Sequence, residues 1–143
     1  MVEPTMTDIM REAYAAGIVR LGAETSITIR FTREKMTVKG ITTILHRLHG
    51  KIDRVLLGPR YNKNPNRSRY WGIVEKIDYS AHCHLGYKLP NGQNIDDLKR
   101  AFAAIDLKKL GIMDEYVINP KPNSGWEIYC VKSLITADHC ILP

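Results

Sequence analysis

The sequence predicts an α+β sandwich: a central, mainly antiparallel β-sheet with helices packed on it. Three observations carry this. Short alternating or apolar runs of strand length are interleaved with longer runs of helical period. Two of the strand-like runs follow each other with only a turn between them, which makes an antiparallel hairpin. Hydrophobic residues are 44% and charged residues 25% of the 143 residues, enough apolar material for one core and one domain spanning residues 1–143.

In chain order, residues 7–21 read as a helix, with Met10, Tyr14, Ile18 and Leu21 stepping by four, four and three along one face. Ser26 to Thr32 is a half-buried strand in which Ile27, Ile29 and Phe31 alternate with Thr28, Arg30 and Thr32. Lys35 to Leu57 reads as helix with Ile41, Ile44, Leu45 and Leu48 inward, and Gly50 as a point of interruption. Residues 58–68 form a polar loop broken by Pro59, Asn62, Asn64, Pro65 and Asn66. Arg69 to Ile77 and His82 to Leu89 are strands. Asn94 to Ile105 is a helix with Asp96 and Asp97 in its first turn, where the helix dipole favours acids. Glu115 to Ile118 is a short strand, and Gly125 to Thr136 a last helix.

The formal net charge of +6 favours a polyanionic partner, nucleic acid before anionic membrane. No run is long enough to span a bilayer, so no membrane partner is expected. Three scattered cysteines, Cys83, Cys130 and Cys140, make no disulfide framework and fit a reducing cytoplasm.

The triplet His82, Cys83, His84 lies inside a strand-like run, so the two imidazoles share one face and Cys83 points to the other. A four-residue turn at 78–81 sets Ile77 opposite His82, Lys76 opposite Cys83 and Glu75 opposite His84. Glu75 then joins His82 and His84. Two histidines on a strand commonly serve as plain hydrogen-bonding residues, and it is the carboxylate at the matched position that tips the reading toward a metal. The mixed N/O set suits Mg²⁺ or Mn²⁺; ligand type alone also admits Zn²⁺ or Fe²⁺.

On the last helix Tyr129 and Lys132 are three apart and can act together, the ammonium favouring phenolate at a group whose ordinary pKa is about 10. Arg54, Arg60, Lys63, Arg67 and Arg69 cluster in sequence with Tyr61, Tyr70 and Trp71, a mixture of cations and rings suited to single-stranded DNA.

Together these segments resemble the HUH endonuclease superfamily of rolling-circle replication initiators and plasmid relaxases. The resemblance covers about residues 26–135: the strand Ile27 to Thr32, the triplet His82 to His84 followed by Pro90, and Tyr129 to Lys132, with Arg69 to Glu75 similar to the strand that carries an extra acidic ligand. Cys83 stands where the family has a branched aliphatic residue. The resemblance implies an RRM-like, ferredoxin-like fold and site-specific nicking of single-stranded DNA. His82, His84 and Glu75 would hold the cation, Tyr129 would be the single nucleophile, and Lys132 its electrostatic partner. A separate helicase and host replication proteins would be the other partners.

Other readings are a nucleic-acid-binding module of RRM-like fold without catalysis, a small single-strand DNA transposase, and a non-haem iron oxygenase. The last usually sits in a jelly-roll barrel, which the helices here oppose.

Overall fold

The computed structural model describes residues 22–75, 79–120 and 139–141, the last three by backbone alone. The helices expected at 7–21 and 125–136 lie outside the described residues, and Tyr129 and Lys132 with them.

Strand β1 is Thr25–Phe31, helix α1 Val38–Leu57, strand β2 Arg69–Glu75, strand β3 His82–Lys88, helix α2 Ile95–Ala104, the short helix α3 Leu107–Leu110, strand β4 Ile112–Pro120 and strand β5 His139–Ile141. The sheet order is β4-β1-β3-β2-β5, and every neighbouring pair is antiparallel. The run β1-α1-β2-β3-α2-β4 in the order 4-1-3-2 is the ferredoxin-like split βαβ arrangement. The expected fold class is therefore present.

Helix α1 begins where Thr37 accepts a hydrogen bond from the Gly40 N–H at 3.0 Å. It ends at Gly58, whose φ of +87° few side chains tolerate. Ile41, Leu45, Leu48 and Ile52 step by four, three and four and are at most 1% exposed. Burying each fully contributes about 1.5–3 kcal/mol. Gly50 does not interrupt α1. It leaves room for Tyr61, whose Oη would lie 3.4 Å from a Cβ at that position.

Helix α2 opens on a reciprocal cap: Asn94 Oδ1 accepts from Asp97 N at 3.1 Å and Asp97 Oδ2 from Asn94 N at 2.8 Å. Leu98, Ala101 and Phe102 face inward. They meet the α1 stripe and one face of the sheet, formed by Ile27, Ile29, Phe31, Tyr70, Val74, Cys83, Leu85 and Tyr87. Helix α3 is bracketed by Asp106, which caps it, and Gly111 in the left-handed region.

Alternation places Thr28, Arg30, Trp71, Ile73, Glu75, His82 and His84 on the opposite sheet face. Among the described residues no helix is long and apolar enough to cross a membrane.

Candidate metal centre

Strand pairing brings the three proposed ligands together. In the β2–β3 pair Glu75 stands opposite His82, Val74 opposite Cys83 and Ile73 opposite His84. This corrects the expected pairing of Glu75 with His84 and of Ile77 with His82. The connection between the strands spans six residues rather than four. This register lays Tyr70 against Tyr87, with parallel rings 6.3 Å apart, and sets Gly72 beside the bulky Leu85. The slip is two residues, so side-chain parity survives and Glu75 keeps its face.

Glu75 Oε2 lies 2.8 Å from His82 Nε2 and 3.7 Å from His84 Nε2. One donor atom from each of the three residues falls within 4.8 Å of the others. The side chains are 16%, 18% and 23% exposed respectively, sheltered but open to solvent on one side. The imidazoles stand edge to face at 5.3 Å.

The second ring nitrogens are engaged on the far side. Thr28, directly opposite His84 on β1, places Oγ1 3.1 Å from His84 Nδ1. The Ser80 carbonyl lies 3.4 Å from His82 Nδ1. Ser80 has a φ of +53°, in the left-handed region that a non-glycine residue rarely adopts. Arg30, opposite His82, donates to its hydroxyl. The Nδ1–H groups can thus donate to Thr28 Oγ1 and the Ser80 carbonyl, turning both Nε2 atoms toward Glu75, the arrangement that orients metal-binding histidines.

Burial lowers the pKa of His84 below 6.5; the Glu75 charge opposes this and does not overcome it, while His82 adds to it. A neutral imidazole is the form that binds metal. The donor set therefore fits a divalent cation. Thr28 and Ser80 were not foreseen as its supports. Thr28 carried a signal, since it occupies the polar side of an alternating strand opposite the histidine strand. Ser80 carried none, because its carbonyl, not its side chain, makes the contact.

The proposed DNA-contacting residues separate into groups. Trp71 and Arg69 lie on the same sheet face as the ligands, with Arg69 exposed. Arg54, Arg60 and Lys63 are exposed around the C-terminal end of α1 and the loop after it. Tyr70 is a correction: its ring faces the helices, 4% exposed, between His49 at 5.2 Å and Tyr87. It has no free face to stack on a base. Its pKa is raised by burial and by the nearby Cys83.

Arg67 is held inside a polar knot. Its Nε donates to Asp53 Oδ2 at 2.8 Å, and its guanidinium caps the Tyr61 ring at 5.1 Å. Asp53, 0% exposed, also accepts from the Ser68 hydroxyl and backbone N–H, and His49 Nε2 lies 3.2 Å away. Ser68 Oγ meets Tyr87 Oη at 2.7 Å. Burial works to raise the Asp53 pKa, but hydrogen bonds from His49, Ser68 and Arg67 outweigh it and hold the carboxyl below its ordinary 3.8.

Compared with protein-family models, curated proteins and solved structures, the chain matches none.

Proposed function

We propose that the protein is a site-specific, metal-dependent nickase of single-stranded DNA that works through a covalent 5′-phosphotyrosine link, initiating rolling-circle replication or mobilisation. The observation that carries this reading is the convergence of Glu75 Oε2, His82 Nε2 and His84 Nε2 on a rigid sheet face, with the Nδ1 atoms engaged behind them. The order of the sequence motifs supports it, with Tyr129 and Lys132 following the histidine strand.

Glu75, His82 and His84 would hold the cation, Mg²⁺ or Mn²⁺. When bound, it supplies Lewis-acid polarisation of the scissile phosphate and orients it for in-line attack. Tyr129 Oη attacks phosphorus and gives up its proton. The bond from phosphorus to the 3′ oxygen breaks, and that oxygen takes up a proton to become a free 3′-hydroxyl. Lys132 offsets negative charge on the phosphate. Arg69 and Trp71, on the ligand face, give the strand a cation and a ring. Because the link conserves bond energy, a 3′-hydroxyl can reverse the step and rejoin strands.

Trp71, on the same sheet face as the ligands, also favours a second reading, an RRM-like nucleic-acid binder without catalysis. One experiment separates the two. Purified protein is incubated with a random-sequence pool of single-stranded oligonucleotides and Mn²⁺, and adducts are mapped by mass spectrometry. A nickase yields a 5′-phosphate adduct on Tyr129 that chelator and Tyr129→Phe both abolish. An adduct undiminished in Tyr129→Phe rules out that nucleophile, and binding with no adduct from any pool member favours the second reading.

A further inference from the structure

Helix α1 carries four cations, Lys39, Arg47, Lys51 and Arg54, and a single acid, Asp53, which is fully buried against Arg67 and Ser68. All four cations are exposed. At 100° per residue they fall within about a third of the helix circumference, on the side away from Ile41, Leu45, Leu48 and Ile52. At 1.5 Å per residue the stripe is about 23 Å long. Two grooves flank it and share Arg47. One continues the positive charge to Arg33 and Lys109; the other takes in Lys51 and Arg54. Lys108 lines the first groove but is already paired with Asp114 at 3.1 Å. Among the described residues no carboxylate lines either groove.

We infer that the outer stripe of α1 is a second nucleic-acid surface, one that takes the phosphate backbone of a DNA duplex. The inference rests on the proposed nicking function for its choice of DNA over another polyanion. Charge complementarity selects a polyanion, and the stripe length matches about seven steps of a strand rising 3.4 Å each. The duplex, rather than a single strand, follows from the absence of a stacking platform among the described residues. Among the described residues Tyr61 is the only tyrosine, tryptophan or phenylalanine lining either groove, and Arg67 covers its ring. Single-strand surfaces add exposed rings to their cations; a duplex keeps its bases stacked within itself. The stripe and the metal ligands lie on opposite sides of the sheet, so the molecule can hold a duplex on one side and present a single strand to the other.

The test is fluorescence anisotropy with a labelled random-sequence duplex of about 20 base pairs, titrated between 50 and 200 mM salt. The triple variant Lys39→Gln, Arg47→Gln, Lys51→Gln should bind more weakly. Its plot of log K against log salt should be shallower by about 2.7, which is 0.9 for each of three lost phosphate contacts. The control Lys35→Gln with Lys99→Gln, which removes exposed charge lining neither groove, should leave the slope unchanged. An unchanged slope in the triple variant, an equal loss in the control, or no duplex binding by the wild type overturns the inference. The adduct assay on short single strands keeps the two claims apart. Adduct formation with no effect of the stripe on duplex binding sinks this surface alone. Stripe-dependent duplex binding with no adduct sinks the nicking function and leaves the surface.

Discussion

Thr28 Oγ1 lies 3.1 Å from Nδ1 of His84, directly across the β1–β3 pair, while Nε2 of the same ring points toward Glu75. The hydroxyl fixes the ring from behind and selects the tautomer whose unprotonated Nε2 can ligate a cation. Loss of such a partner typically costs ten- to a hundredfold in metal affinity. Thr28→Val keeps the side-chain shape, so calorimetric titration with Mn²⁺ should show about a tenfold weaker Kd with the melting temperature little changed. An unaltered Kd would leave the hydroxyl without a role at the site.

The buried knot around Asp53 makes a stability prediction. Asp53→Asn removes the charge that Arg67 and the Ser68 donors face, and breaking a buried pair costs about 3 kcal/mol or somewhat more. The partial exposure of Arg67 places the expected loss at the lower end. Urea unfolding of the variant measures it, and a change under 1 kcal/mol would contradict the burial argument.

The same carboxyl gives a pH dependence. Its folded pKa is below 3.8, so the unfolded chain binds the proton more readily. Its contribution is therefore fully present above the unfolded value and is lost as pH falls through the depressed folded value. The difference in unfolding free energy between wild type and Asp53→Asn should be constant near neutrality and shrink below about pH 4. A difference that grew on acidification would reverse the sign and the account of the knot.

Gly50 sits mid-helix with Tyr61 Oη 3.4 Å from where a Cβ would stand, an ordinary contact distance. Gly50→Ala should stabilise the protein by about 1 kcal/mol through helix propensity. Thermal unfolding would show a raised midpoint; a lowered one would mean that Tyr61 and its Arg67 cap cannot give way.

Much of the fold was legible because its elements are periodic. The Ile27, Ile29, Phe31 alternation and the α1 and α2 stripes each bury the face the spacing indicates. What escaped was short or locally atypical. Helix α3 is four residues, too few for a period, although Asp106 and Gly111 mark its two ends. Strand β4 begins at Ile112, but the acidic Asp114 on this edge strand hid its first residues. Strand β5 is three residues. At the site, face parity was readable and the exact pairing was not, since a two-residue slip changes no alternation. Tyr70 was misplaced because a basic, aromatic stretch says nothing of which ring turns inward; Tyr87 across the sheet decides that.

The most direct measurement of the central claim is calorimetric titration of Mn²⁺ into wild type and into His82→Ala with His84→Ala, with circular dichroism to verify the fold. The account predicts one cation per chain in the wild type and no binding in the double variant. Undiminished binding in a folded double variant would contradict it.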